Sequence, residues 1–439
     1  MKLIKNLEDR ILYTIFTRQT ENTLIMKRTT ISLLLILLCM QAMAQQVITV
    51  SGTVKHQYNK RALEYVNVYV PGTHIGTITN SDGEFTIKIA DGKLPLTVEF
   101  SHLGYATNEL KVTEQTLENQ EILMTPGVIM LNELVVEPIY PTRIVERAMN
   151  NVKKNYSMEA GMYKAFYREF AQKRRKYINI SEAVVDVFKT PYSQEMDRDR
   201  VRVQKGRRMV SPKLSDTLNV KLEGGPIIAN SMDVVKTPGT LLGYDMMAYY
   251  QYDFKDYVII NNRLHFAIDF KPRGILDDGL LYRGTLYIDR ENYAISRIEF
   301  STDMSDREKV TQVMLRRRPT GLRFRPNSLN YLVTYRQDGD KYYLNYVRAE
   351  LRFSCDWKRK LFATNFTVVS ELVMTDREDA PPHGNIPYRE SFTKNQVLSD
   401  KVQDFYDEKF WEDYNIIEPT ESLEYAVQRL KKANTDSEE

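Results

Sequence analysis

From Val47 onward, apolar and polar residues alternate in short runs. Ile48, Val50 and Val54 share one face; Val66, Val68 and Val70 follow, then Phe85, Ile87 and Ile89, then Leu96, Val98 and Phe100. A period of two over so few residues marks half-buried strands. Pro71-Gly72, Asp82-Gly83, Asp91-Gly92 and Gly104 separate the runs, and glycine supplies the positive φ that tight turns need. This spacing predicts a small antiparallel β-sandwich over residues 45–126. In TNSDGEFTIKI, residues 79–89, the Asp82-Gly83 pair reads as a hairpin turn that sends Phe85, Ile87 and Ile89 inward.

Pro138 and Pro141 mark a linker over 127–141, after which the period changes. Ile144, Val145, Ala148, Met149 and Val152 form a helical stripe, so a helix from Thr142 to Asn155 is expected to cover a sheet. The segments MYKAFYREF, KYINISEAVVDVF, DYVIINNRLHFAIDF, GLLYRGTLYIDRENYAISRIEFST, EKVTQVMLRR and LNYLVTYRQDGDKYYLNYVRAELRFS then read as strands joined by short turns. Asn261-Asn262, Asp289 to Asn292 and Asp338 to Asp340 are the hairpin positions. The fold class expected is mainly β: the sandwich, then a larger antiparallel meander with a few helices over 142–400, then a helical, charged arm over 401–439. A membrane barrel is the rival for the meander. Its strands need an unbroken lipid-facing apolar side, which Asp289, Arg290, Glu291, Arg297 and Glu299 interrupt, and the closing TESLEYAVQRLKKANTDSEE is helical.

The first 44 residues carry an export signal. Lys27 and Arg28 follow Met26, an apolar run spans Ile31 to Met40, and Ala42-Met43-Ala44 precedes Gln45. A basic start, a short apolar core and a small-x-small site define a secretory signal peptide, and the run is too short to span a bilayer. Cleavage is expected after Ala44, and Met26 is the expected true start, with an upstream extension before it. Lipidation at Cys39 is disfavoured, because Leu38 stands where a lipoprotein signal requires a small residue.

Charge removes one class of partner. Six of the 61 basic and three of the 58 acidic residues lie in the first 44, leaving 55 of each in the mature chain. A nucleic-acid binder would carry a basic surplus. Only Cys355 remains after cleavage, so no disulfide forms within the mature chain and its core must hold it together. Aromatic residues make up 11% of the chain, with 28 Tyr, and supply apolar surface with polar tips.

VSGTV, VNVYVPGTHIGTITNSDGEFTI, LTVEFSHLGY and the trailing LNELVV follow one another in the order of a known family. The segment resembles the carboxypeptidase regulatory-like domain, a transthyretin-like β-sandwich found at the N-terminus of outer-membrane uptake receptors and related exported Gram-negative proteins. The resemblance implies an accessory sandwich without catalytic residues. GTLYIDRENYAISRIEF is similar to a hairpin of LolA-like lipoprotein carriers, whose curved sheet wraps an apolar cavity. The stretch from Arg143 to Leu430 resembles exported proteins that pair such a sandwich with a β-rich domain, and it implies no assigned chemistry.

The sequence offers few candidates for catalysis. His56, His74, His102, His265 and His383 lack zinc-ligand spacing. No GxSxG elbow or phosphate-binding Gly-rich loop is present. Cys355 reads as a buried small hydrophobe. Asp277-Asp278-Gly279 reads as a turn before it reads as a glycosidase pair, and Asn80, Asp82 and Glu84 as a turn before a calcium loop. VRVQKGRRMVSPK, with Arg200, Arg202, Lys205, Arg207, Arg208 and Lys213, reads as a solvated loop; its second use would be contact with anionic lipid or glycan. Phe405, Tyr406, Phe410, Trp411 and Tyr414 are spaced helically and are expected to dock the C-terminal arm onto the sheet, with partner binding as a second use. No catalytic, cofactor-binding or metal-ligating residue is assigned. The expected function is a non-enzymatic binding or assembly module of the periplasm or outer-membrane periphery, taking a lipid-like ligand or an envelope protein. The alternative is a hydrolase with a site in the second domain.

Overall fold

The computed structural model describes residues 47–90, 92–128, 138–194, 196–213, 221–222, 224–274, 276, 279–317, 319–357, 363–379, 385–404, 410–411 and 414–438. The expected export signal, Asp277, Asp278, His383, Phe405 and Tyr406 lie outside the described residues.

In chain order the first strands are β1 (Ile48–His56), β2 (Asn67–Tyr69), β3 (Gly76–Ile78), β4 (Glu84–Ile89), β5 (Leu96–Ser101), β6 (Asn108–Val112) and β7 (Thr116–Met124). They form two sheets, ordered β4-β1-β7 and β3-β2-β5-β6. Alternate residues face the interior, so Ile48, Val50, Val54, Val66, Val68, Phe85, Ile87, Ile89, Val98 and Phe100 are buried in one cluster. Phe85 meets Phe100 edge to face at 5.1 Å.

Two local expectations change. The sandwich is not wholly antiparallel, because β7 lies parallel to β1. The two backbones run so close that a Cβ on Gly52 would sit 2.0 Å from the Gln120 carbonyl oxygen. The Asp82-Gly83 turn, with Gly83 at φ +78°, joins strands of different sheets and is a corner, not a hairpin. Period-two patterning specifies which face is apolar and is silent on the neighbour.

The second set comprises α1 (Pro141–Asn150), α2 (Val152–Asn155), β8 (Gly161–Lys173), β9 (Lys176–Lys189), β10 (Arg200–Val210), β11 (Lys221–Leu222), α3 (Pro226–Ser231), α4 (Tyr244–Met247), β12 (Tyr250–Ile260), β13 (Arg263–Pro272), β14 (Tyr282–Asp289) and β15 (Ile295–Thr302). Then come α5 (Arg307–Met314), β16 (Leu315–Arg317), β17 (Leu322–Asp338), β18 (Lys341–Trp357), β19 (Thr364–Asp379), β20 (Gln403–Asp404) and α6 (Glu421–Glu438). Eleven strands build one sheet in the order β12-β13-β14-β15-β17-β18-β19-β8-β9-β10-β20. The meander from β12 to β19 is as expected, and Asn261 and Asn262, both at positive φ, make its first hairpin turn. Among the described residues the sheet is open, with β12 at one end and β20 at the other.

Three segments differ from expectation. EKVTQVMLRR is mostly helix: Asp306 caps α5 by accepting from the Lys309 amide, and Val310 and Met314 are buried one turn apart. VRVQKGRRMV is strand β10, paired antiparallel with β9, not a loop. The predicted Thr142–Asn155 helix breaks at Asn151 into α1 and α2.

Both faces of the central strands are covered, which explains near-continuous apolar runs such as AVVDVF. On one face Ala165, Tyr167, Val185, Val333, Val347 and Leu372 pack against α1, α3 and the segment to α4. On the other Phe166, Val184, Leu332, Tyr346 and Val373 pack against Ile78, Trp411 and Ile417. The sandwich is also bonded to this sheet: Arg336 donates to the His74 and Ile75 carbonyls at 2.6 and 3.2 Å, and Tyr65 stacks on Tyr346. Asn415 bonds the Lys88 amide and carbonyl as a neighbouring strand would. No helix among the described residues is long and apolar enough to cross a membrane.

Candidate binding surfaces and the buried ionic network

A buried group of ionisable residues lies inside the sheet's helix-covered face. Lys189 ends β9, Asp199 precedes β10, and Asn230, Asp233 and Lys236 come from α3 and the turn after it. Lys189 reaches Asp233 at 2.9 Å and Lys236 reaches Asp199 at 2.7 Å. Tyr192 and Tyr335 each donate to Asp233 at 2.9 Å, and Thr190 donates to Asp199 through its amide and hydroxyl. Burial first, and the Asp233 charge next, hold both phenols well above the ordinary tyrosine value, so they remain donors. Burial, reinforced by the Lys189 charge, lowers Lys236 to about 8. Two ammonium and two carboxylate groups balance with their hydrogen bonds made, and none is exposed beyond 3%. Such a set resembles an active site in composition, but each of its charged groups is buried. It latches the 226–247 segment onto the ends of β9, β10 and β17.

A second network lies on the opposite face. Glu182 accepts from Arg168 and Arg207, each at 2.7 Å, and Arg168 also donates to the Ile417 carbonyl. Burial works to raise the Glu182 carboxyl, but the two guanidiniums outweigh it and hold it below its ordinary value of 4.5. Asp199 and Asp289 are depressed in the same way, burial being outweighed by Lys189 and Lys236 for the first and by Arg263 for the second. A carboxyl depressed by folding stabilises the fold fully above its unfolded value, and that contribution is lost as the pH falls through the folded one. Stability is therefore expected to drop as pH falls below about 4.5, and Glu182→Gln to flatten the drop. Urea titrations from pH 6 to 3 check this; parallel slopes for both proteins would refute it.

The basic run of β10 is largely neutralised within the fold. Arg202 pairs with Asp186 and Glu390, Arg207 with Glu182, and Arg208 donates to the Ser399 carbonyl. Two recesses of about 500 Å³ each adjoin along this strand, sharing Gln204 and Glu390. Val203, Gln204, Lys205 and Gly206 all line the first. A β-bulge between Val203 and Lys205 breaks the alternation of faces there and brings these residues to one recess, between the Phe392 amide bonded to the Val201 carbonyl and the pairing of β20 with Arg207 and Arg208. Arg389 and Lys401 stand across from it; Asp186, Asp376 and Glu378 line the second.

A third cleft of about 280 Å³ opens beside α1, lined by Arg143, Arg147, Tyr257, Phe266, Arg290 and Tyr293 among others.

The residues singled out from sequence take structural roles. The Asn80 side-chain oxygen accepts from the Asp82 and Glu84 amides, and Asp82 accepts from the Glu421 amide, so the turn docks the start of α6. His265 is buried between Ser296 and the Arg263 carbonyl, and burial lowers its pKa. Burial likewise lowers His102 to about 4. His56 accepts from the Tyr58 amide and His74 pairs with Asp338. Cys355 is buried, and burial raises its thiol to about 11. Trp411 docks the C-terminal segment edge-on against Phe166. Among the described residues no His, Cys, Asp and Glu converge as metal ligands. Sequence reasoning missed both ionic networks, whose members are scattered singly from 168 to 236.

Residues 50–136 match the model of the CarboxypepD_reg-like domain. The N-terminal sandwich is such a domain. Over 87 residues the chain is 37% identical to TonB-dependent receptor P3 of Formosa agariphila, a match covering 20% of this chain and 8% of the receptor. The larger sheet is similar to solved structures at low identity. A LolA superfamily protein from Nitrosomonas europaea is 11% identical, covering 59% of this chain and all of that one, with a TM-score of 0.20. A DUF1329 family protein from Desulfovibrio piger is 10% identical, covering 54% and 94%, with a TM-score of 0.22.

Proposed function

We propose that the protein is an exported, non-enzymatic binding module of the cell envelope that receives an extended segment of a protein partner along β10. The export pattern in the first 44 residues, the CarboxypepD_reg-like domain and the likeness over 87 residues to a TonB-dependent receptor support the envelope as its place. The observation that carries the choice of ligand is the contrast between the two sides of the sheet. Where an acyl chain would need an apolar cavity, Val234, Leu241, Leu242 and Met247 fill the space. The recesses along β10 are lined instead by charges of both signs and by a strand edge, which suit a polypeptide and disfavour a hydrocarbon.

A photo-crosslinking residue at Arg389, whose side chain is 86% exposed, is expected to trap an envelope protein in cells. The same residue at the exposed Tyr425 on α6 serves as control and is expected to trap none. Purified protein is expected to take up no fluorescent fatty acid. Copurifying acyl chains, or equal crosslinking at both positions, would move the reading to a lipid carrier or to nonspecific contact.

A further inference from the structure

We infer that the protein rests one end of its large sheet on an anionic membrane surface, through a basic rim formed by the β8–β9 turn and the neighbouring ends of β17, β18 and β19. These strands lie side by side in the order β17-β18-β19-β8-β9. Their registers pair Leu322 with Trp357, Cys355 with Thr364, Phe366 with Lys173 and Lys173 with Lys176. The start of β17, the end of β18, the start of β19 and the β8–β9 turn therefore come out at the same end of the sheet. Arg174, Arg175, Lys176, Arg323, Arg325 and Arg352 are exposed there.

Counted by sequence, with undescribed residues included, 172–176, 315–325 and 350–364 hold 13 basic residues and two acidic ones, Glu350 and Asp356. Both acids are engaged within the rim: Arg352 pairs with Glu350 at 2.6 Å and Arg325 with Asp356 at 3.7 Å. The adjoining stretches do not offset the rest. Residues 205–223 hold five bases and two acids, 401–413 two bases and five acids, 273–283 two of each, 429–439 three of each, and 303–309 two bases and three acids. A surplus of ten positive charges remains at this end of a chain whose formal net charge is +3. A membrane responds to that summed field, so it does not matter which of the arginines is also bonded within the fold.

The turn gives a second, independent sign. Arg174 and Arg175 form a two-residue loop and both stand at positive φ, +48° and +68°, where such hairpins favour asparagine or glycine. The β12–β13 turn of the same sheet is built the same way from Asn261 and Asn262, at +50° and +57°. Two arginines thus occupy positions that the backbone would give to other residues. What they gain is reach, because a turn projects from the sheet end and its long side chains meet a flat surface rather than enclose a small anion. Each basic side chain brought to an anionic bilayer contributes about fivefold in affinity. Membrane contact needs nothing from the recesses along β10, so either can fail alone.

Sedimentation of the mature chain with phosphatidylethanolamine vesicles, with and without phosphatidylglycerol, tests this. Binding is expected only with phosphatidylglycerol, and is expected to be lost in about 1 M salt, where the screening length is about 3 Å. Arg174→Asn/Arg175→Gly suits the turn better than the native pair, so that variant is expected to fold at least as stably. It is expected to weaken binding roughly 25-fold, about fivefold for each charge. Arg323→Gln, on β17, is expected to weaken it about fivefold. Lys60→Gln/Arg61→Gln removes two exposed charges from the sandwich and is expected to leave binding unchanged. Equal binding without phosphatidylglycerol, unchanged affinity in both rim variants, or an equal loss in the sandwich variant would overturn the inference. So would tighter binding to soluble polyglutamate than to the vesicles, which would assign an acidic polypeptide instead.

Discussion

Replacing Asp233 with alanine is expected to lower the unfolding free energy by roughly 3–5 kcal/mol, the usual cost of breaking a buried ion pair from one side. Asp233 accepts from Lys189, Tyr192 and Tyr335 in a space closed to solvent. Its removal leaves Lys189, 2% exposed, with Asp199 at 3.7 Å and the Asn230 side-chain oxygen Oδ1 at 3.1 Å. Neither replaces a carboxylate in contact, so the ammonium stays desolvated and under-compensated. Adding Lys189→Met should recover part of the loss, because the uncompensated charge goes with it. Urea denaturation of the single and double variants measures both effects. A loss below about 1 kcal/mol would match an exposed pair and would mean that water enters the network. Because the network anchors the 226–247 segment, the Asp233 variant should also expose apolar surface on that face, read as increased dye binding.

Phe85→Ala should cost a similar amount, roughly 3–5 kcal/mol. Phe85 is 1% exposed and meets Phe100 edge to face within the sandwich's buried cluster. The sandwich's buried cluster is separate from those of the large sheet, so a fragment of residues 46–126 is expected to fold alone and to show the same loss. Dispersed amide resonances in its NMR spectrum would support this; a disordered fragment would mean that Arg336, Tyr346 and Asn415 are needed to hold it. Ile78 provides the contrast, since it is buried in one cluster with Phe166 of the larger sheet and Trp411 of the C-terminal segment. Ile78→Ala should weaken the full chain and leave the isolated fragment little changed.

Strand positions in the sandwich were legible from sequence because each inward face alternates within five or six residues, and a local pattern needs only local chemistry. The hairpins at Asn261-Asn262 and Asp338 to Asp340 were legible for the same reason. Residues 308–317 were misread because a β-branched, apolar segment suits either period until a cap such as Asp306 is recognised. The strand β10 was hidden by its own arginines: Arg202 and Arg207 look solvated until Asp186 and Glu182 of β9 lie beside them.

By itself, then, the sequence determined the mainly β class, the regulatory-like sandwich and its inward faces. Tertiary structure alone decided that β19 pairs with β8 some two hundred residues earlier, that β7 runs parallel to β1, and that the sandwich and C-terminal segment cover one face of the large sheet. It also decided that Lys189, Asp199, Asp233 and Lys236 meet in a sealed space while Arg143, Arg147 and Arg290 meet in an open one. Alternation along a strand records burial, a property each residue carries through its own side chain. Partnership between distant residues depends on which edges and faces the whole chain brings together, and no local pattern encodes it.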